Sequence, residues 1–565
     1  MFGAVLLAQV ELTPKFQPGP ARLPDQAPIS QPEPFKPDGT LLQQEQRDSA
    51  DENGDIPSNT DSQQLNAFRS QTITIRGNTI FDTPTLDGFI RDCNQATSNL
   101  SPTDWAALCI TLRYQQKGYV NTRVYADDRD SVPALDVVEG RLVELRINGP
   151  NQALNQNTER KLSALQGKIL DANEVLWALQ LIQQQPGAER IKGRLGRVGS
   201  DPGQSSLIVR AEPKGADFQG VLTYSNEGKI SAGEHLNQAI LSGESLLRFA
   251  DRLMLFGEKT WTGAPQAGSS TYSISYSSPF GSRTSGALSA GFSRMKPIEL
   301  GGIASGFRTN QVQLTGLINH KFIDSYDRDL SVFGQLSYSR SNLYLNGDAL
   351  PSIIPSLIRK PQSSYLKVGV EANKINRRSI HNAQLFVMQA IPASIPDDQV
   401  QSLREIDTDP ANSNAIGASV STLFLLDNGI RIKAGLAGQK SFSNLINTMR
   451  FQIGADSGLT GLPSTAISGD DGIQATVSGT IPIHSIKGWS FAVKPFVGIG
   501  AVRLWDQWSN TIGSYGALLN ITNPSNRFSM ELGWSGQVGQ EDNLDDLWDD
   551  WSLGHGLISR ASLRL

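Results

Sequence analysis

The stretch "YLKVGVEAN" (365–373) alternates. Leu366, Val368, Val370 and Ala372 fall on one face, and Lys367, Glu371 and Asn373 on the other. A period of two is a strand with one apolar face. The same alternation returns through "STYSISYSSPF", "TSGALSAGF", "NQVQLTGLINHKF", "SVFGQLSYSR", "GIRIKAGLAGQ", "SFAVKPFVGIGAV" and "RFSMELGWSGQVG". Gly, Ser, Asn and Asp turns separate these segments, and beyond Lys214 helical signals nearly vanish. The chain ends the same way: "GLISRASLRL" puts Leu557, Ser559, Ala561, Leu563 and Leu565 on one face and Ile558, Arg560, Ser562 and Arg564 on the other.

About 350 residues of such strands exceed an ordinary packed sandwich, and the small and polar residues of the second face suit a wet lumen better than a dry core. No stretch approaches the roughly 20 apolar residues that a membrane helix needs, whereas a spanning strand needs only about 10 that alternate. Closing the sheet removes every edge and satisfies every backbone group in lipid. The expected fold is a set of α+β modules followed by a transmembrane antiparallel β-barrel.

Composition excludes several functions. With a net charge of −5 and 19% charged residues there is no basic footprint for nucleic acid. The two cysteines, Cys93 and Cys109, form no C-x-x-C pair or Cys/His cluster, so no metal is expected. The five histidines are scattered without a nucleophile pattern, and "GADSGLTGLP" lacks the Gly-Lys-Ser/Thr ending of a phosphate loop; neither an enzyme nor a cofactor is expected. The acidic run "EDNLDDLWDDW" (541–551) reads as a solvated external loop rather than a calcium site.

The N-terminal third has a different texture. Residues 1–9, "MFGAVLLAQ", resemble the remnant of a signal-peptide apolar region. Residues 10–68 are rich in Pro, Gln, Asp and Glu and read as a disordered linker, with "LLQQEQRD" (41–48) able to form a short helix against a partner surface. From 69 the order is strand, helix, helix, strand, strand. Leu86, Phe89, Ile90 and Cys93 make one apolar helix face; Trp105, Leu108, Cys109 and Leu112 make the next, opened by Ser101 as N-cap and Pro102 in the first turn. The order then repeats from "VELRINGP" to "SSLIVRAEP", which points to two tandem units. Cys93 and Cys109 sit on apolar faces of consecutive helices. They read either as a disulfide closing a loop of about 16 residues or as two buried thiols.

Through "ITIRGNTIF", "KGYVNTRVY" and "VVEGRLVELRI" the first unit resembles the first POTRA domain of the two-partner secretion transporters, the haemolysin secretion and activation proteins of the POTRA-plus-barrel superfamily. The resemblance implies POTRA 1 over 69–143, POTRA 2 over 144–214 and a barrel of 16 strands over 215–565. It places the family's long inward loop at "GADSGLTGLPSTAISGDDG" (454–472). The family's Ser-Gly-Asp-x-Gly turn is present as Ser468, Gly469, Asp470, Asp471 and Gly472. Its tip element, Val-Arg-Gly-Tyr/Phe, matches Leu459, Thr460, Gly461 and Leu462, with Thr460 in the arginine's place. Its Phe-x-Asp-x-Gly wall element matches Phe496, Gly498 and Gly500, with glycine in the acid's place. Losing both partners of a buried pair is tolerable where losing one costs roughly 3–5 kcal/mol. The expectation is therefore a loop held by hydroxyls, backbone amides and packing of Leu459 and Leu462 rather than by a salt bridge. Arg450 or Arg503 paired to an acid of the loop is the observation that overturns it.

The resemblance implies a monomeric outer-membrane barrel of a diderm bacterium or related organelle envelope, set in outer-membrane lipid with its POTRA domains in the periplasm. Those domains would bind an unfolded β-rich exoprotein by strand addition, with Tyr119, Val120, Leu207 and Val209 as the expected contacts, and the lumen would pass it outward. The alternatives are an insertase of the same superfamily and a passive solute pore.

Overall fold

The computed structural model describes residues 42–44, 73–93, 100–127, 134–199, 201, 203–230, 232–262, 267–297, 306–504, 507–508, 511–539, 548 and 550–565. The segments expected as signal remnant (1–9) and linker (10–68, apart from 42–44), and most of the acidic run 541–551, lie outside these. The chain divides into a barrel unit and an N-terminal α+β unit.

In the N-terminal unit, β2 (Thr74–Arg76) leads to α1 (Thr83–Arg91) and α2 (Pro102–Gln116), then to β3 (Arg123–Asp127) and β4 (Ala134–Val138); the sheet order is β2-β4-β3. Asp82 and Ser101 cap the helices by accepting from Thr85 N (3.1 Å) and Asp104 N (3.0 Å). The buried side of α2 is Trp105, Ala106, Cys109, Ile110 and Tyr114. Leu108, expected on that face, is exposed, because the helix turns its small Ala106 and Ala107 inward. Cys93 and Cys109 form a disulfide, with Cα atoms 5.9 Å apart.

The Glu139-Gly140 turn is explained by its contacts. The Glu139 carboxylate accepts from Thr79 N (2.8 Å), Ile80 N (2.9 Å), the Thr79 hydroxyl and Tyr114 Oη (3.0 Å), tying the β2–α1 turn to α2. A Cβ on Gly140 would lie 2.6 Å from Asn121 O, so glycine is required there. This turn also marks the module boundary. Residues 141–143 were expected in the first module, yet Arg141–Asn148 is one strand, β5, of the second.

The second module adds α3 (Gln152–Leu162), α4 (Ala172–Gln183), β6 (Ala188–Arg197) and β7 (Gln204–Pro213). Its sheet runs β1-β6-β7-β5, where β1 is Leu42–Gln44, added parallel to the β6 edge with Leu42 opposite Gly193 and Gln44 opposite Leu195. The expectation of a disordered linker able to form a short helix over 41–48 is therefore corrected for its described part, Leu42–Gln44, which is a strand. An open sheet edge offers unpaired N–H and C=O groups that an extended segment satisfies.

The barrel is closed, with sixteen antiparallel strands from Asp217–Ser225 to Leu557–Arg564; two further strands of two residues extend loops at its rim. In the strand Gln362–Asn376, Leu366, Val368 and Val370 are about 40% exposed on the outer face. On the lumen face Lys367 Nζ lies 3.7 Å from the Phe386 ring centre, and Asn373 and Asn382 bond to Glu371. Outward apolar side chains on every strand would be an aggregation surface in water and are a lipid face in a membrane.

The connections are unequal. Those over 280–283, 325–327, 377–378, 487–488 and 523–527 are short, while 346–361, 391–413 and 442–470, at the opposite end, are long. Lys487 and Gly488, both with positive φ, make the two-residue turn whose twist matches paired strands. Short periplasmic turns and long outer loops are the outer-membrane pattern.

Candidate functional site

The loop 442–470 leaves the strand Arg431–Ser441 and re-enters at Asp471–Ile486. Its arms, Phe451–Ile453 and Ile467–Gly469, pair antiparallel, so it is an ordered hairpin. Ala455 N donates to Pro463 O (2.9 Å) and Asp456 N to Ser464 O (3.0 Å) across the tip. Gly458 and Gly461 take φ of 105° and 87°, so the glycine spacing encodes turns.

The loop lies in the lumen. On the strand Trp489–Leu504, Val497 and Ile499 are half exposed on the outer face, so Phe496, Gly498 and Gly500 point inward. A Cβ on Gly498 would sit 3.2 Å from Leu459 Cγ, and one on Gly500 would sit 2.6 Å from Ile453 Cδ1. The two glycines form the groove that seats the loop. Leu459 and Leu462 are fully buried among Ile453, Ala466, Val502 and Ile512. Where the family element has an acid, this chain has the side chain of Leu459.

The tip is held by polar groups of the wall. Thr460 O accepts from Ser514 Oγ (2.5 Å), Gly461 O accepts from Gln537 Nε2 (2.9 Å), and Gly461 N donates to Glu227 Oε1 (2.7 Å). Arg560 pairs with Glu227 at 2.6 Å and donates from Nη2 to Thr460 Oγ1 at 3.3 Å. Neither charge of this pair comes from the loop: Arg560 is on the last strand and Glu227 in the connection that follows the first.

The base of the loop overturns the expectation of a loop without salt bridges. Asp470 pairs with Arg450 at 3.3 Å and accepts from Leu445 N at 3.2 Å. Asp471 pairs with Arg503 (2.6 Å) and Lys440 (2.7 Å) and accepts from Ser441 N (2.6 Å) and Oγ (2.5 Å). The reason is local. The turn from Ser468 to Gly472 carries two adjacent carboxylates back into the wall, and Gly469 and Gly472 let it approach where a Cβ would lie 2.6 Å from Arg503 O and 2.2 Å from Phe451 Cδ1. Carboxylates so buried require partners. Packing of Leu459 and Leu462, backbone bonds and the contacts of Thr460 and Gly461 with the Arg560–Glu227 pair hold the tip, and ion pairs made by the loop's own acids hold the base.

Two of the four expected substrate contacts need correction. Leu207 and Val209 lie on β7, paired on both sides by β5 and β6, and their side chains are fully buried, so they are core residues without a free edge. Tyr119 packs edge-to-face on Phe81 and Tyr114, and Val120 N donates to Gly118 O in the same turn. The side of β6 turned away from β7 is the one that the short strand β1, Leu42–Gln44, covers over Gly193–Leu195. Among the described residues no group of His, Cys, Asp and Glu side chains is arranged to hold a metal.

The sequence profile of the family described as haemolysin secretion/activation protein ShlB/FhaC/HecB matches residues 203–517, more than half of the chain. The chain belongs to this family. It is 24% identical over 396 residues to the outer membrane transporter CdiB of Dickeya dadantii (strain 3937), a match over 68% of this chain and 66% of that protein, just under two thirds of its length. The fold is similar to CdiB from Escherichia coli, with TM-score 0.56 and 17% identity over 87% of this chain and 90% of that one. It is also similar to CdiB from Acinetobacter baumannii, with TM-score 0.53 and 14% identity over 100% and 96%. A family member with this barrel resides in the outer membrane. The family is one of transporters rather than enzymes.

Glu227, Lys440 and Arg560 escaped the sequence reading as site residues. Arg560 is visible as an inward charge on the last strand, but its partner Glu227 lies 333 residues away and no local pattern links them.

Proposed function

We propose that this protein moves an unfolded, β-rich exoprotein outward through the lumen of a single barrel set in outer-membrane lipid, after two POTRA modules capture it in the periplasm by strand addition. The observation that carries the capture step is β1: the β6 edge has already accepted an extended segment, the chain's own Leu42–Gln44. Main-chain hydrogen bonds provide affinity for any extended chain, and alternate side chains provide selectivity. The capture surface is thus assigned to β6, with Arg194 exposed on it, in place of Leu207 and Val209. The conducting step requires the hairpin 442–470 to vacate the lumen. The proteins that share this family profile and fold support the reading.

The test is deletion of the gene with comparison of the secreted proteins, together with a photo-crosslinker at Arg194. Loss of one large secreted protein, and its crosslinking at Arg194, is the expected result. An unchanged set of secreted proteins with steady single-channel conductance would make the barrel a passive solute pore; a loss of many barrel proteins from the membrane would make it an insertase.

A further inference from the structure

We propose that Arg560 and Glu227 are positioning residues that tie the inward hairpin to the closing seam of the barrel, so that release of the loop and loosening of the seam form one equilibrium. The proposal rests on the reading of the hairpin as the occupant of a conducting lumen.

The seam joins the last strand, Leu557–Arg564, to the first, Asp217–Ser225. It pairs five positions, Arg560 opposite Ser225 through Arg564 opposite Val221, fewer than at any other junction between neighbours among the sixteen strands. Just beyond, Asn226 prolongs the ladder with its backbone and side chain: its N donates to Ser559 O (3.2 Å), its Oδ1 accepts from Ser559 N (2.8 Å), and its Nδ2 donates to Leu557 O (2.7 Å). Arg560 stands on one side of this short ladder and Glu227 on the other, joined at 2.6 Å.

The hairpin tip bridges the same two residues, with Gly461 N donating to Glu227 and Thr460 Oγ1 accepting from Arg560. A second tie runs from Ser464 N to Gly228 O at 2.8 Å, again on the first-strand side. The Glu227 side chain is 4% exposed, so its charge needs all its donors. If the seam parts, Arg560 leaves Glu227 and the tip can no longer keep its contacts to both seam strands, while Ser514 and Gln537 still hold its backbone from other strands. If the tip leaves, Glu227 loses a backbone donor and the pair is left facing an open lumen. Each event makes the other easier. The ion pairs at the loop base, Arg450–Asp470 and Arg503–Asp471, touch neither seam strand and lie outside this coupling.

The experiment uses the full chain in phosphatidylethanolamine–phosphatidylcholine vesicles. Ser464→Cys is the loop probe, since Ser464 is 2% exposed and its hydroxyl makes no hydrogen bond among the described residues. Thr223→Cys with Ser562→Cys bolts the seam, because the two positions face each other across it. The readout is the rate at which a maleimide reacts at position 464, with the Ser464→Cys protein lacking the bolt as control for the reductant. With the bolt oxidised, labelling is expected to be about tenfold slower than after its reduction, and Glu227→Gln without the bolt about tenfold faster than the parent. Equal rates with the bolt closed and open overturn the proposal, and this comparison leaves Arg560 and Glu227 intact should Glu227→Gln fail to fold. Slowed labelling in a protein whose deletion leaves secretion unchanged would instead keep the coupling and discard the transport function.

Discussion

Leu459 of the inward loop fills the space that Gly498 of the barrel wall leaves open, with 3.2 Å between Leu459 Cγ and the place a Cβ on residue 498 would take. This contact stands where the family element has an acid facing an arginine. Gly498→Ala should cost little, under about 1 kcal/mol, because the gap needed is a few tenths of an ångström. Gly498→Asp should loosen the loop by about 2–4 kcal/mol, since it buries a carboxylate against Leu459 with no arginine at residue 460. Single-channel recording checks this: larger or noisier conductance for Gly498→Asp, parental traces for Gly498→Ala.

Asp471 gathers two cations and two donors from Ser441 at the loop base. Asp471→Asn should destabilise the re-entry turn by about 2–4 kcal/mol, because Arg503 is left facing a neutral amide. Limited proteolysis of folded barrels should then cut within 442–470 while the other loops keep parental resistance. Unchanged cleavage would show that packing of Leu459 and Leu462 suffices.

Glu139 gives the first module a pH dependence. Burial pushes its carboxyl up, but hydrogen bonds from Thr79, Ile80 and Tyr114 outweigh burial and hold it below the usual glutamate range. A depressed folded value means the contribution is complete above the unfolded value, about 4.3, and is lost as pH falls through the folded one. Glu139→Gln should remove about 1–2 kcal/mol at pH 7 and flatten this acid limb. Hydrogen exchange of α2 amides across pH 3–7 measures both.

The disulfide Cys93–Cys109 closes a separation of 16 residues. Reduction should lower the stability of the first module by about 3 kcal/mol in the loop-entropy model. Exchange protection of α1 and α2 should fall while the barrel strands, which carry no cysteine, keep theirs. Alkylation without reductant should add no mass.

The sequence by itself determined the barrel, its outward apolar face and the element order of the N-terminal modules. Each rests on a short-range period: two residues in "YLKVGVEAN", three and four between Leu86 and Cys93. It also located the inward loop and the loss of the tip arginine and wall acid, because those are substitutions at single matched positions. Only the tertiary structure decided what replaced them. Leu459 entering the space of Gly498, Asp471 meeting Arg503, and Arg560 reaching Glu227 across the seam join segments separated by tens to hundreds of residues. The same holds for Leu207 and Val209: their alternation marked a strand, but whether a strand lies at the edge or the centre of a sheet depends on which neighbours pair with it. Side-chain period is a property of the local backbone, whereas pairing across a barrel or a sheet depends on closure, and closure is set by the whole chain at once.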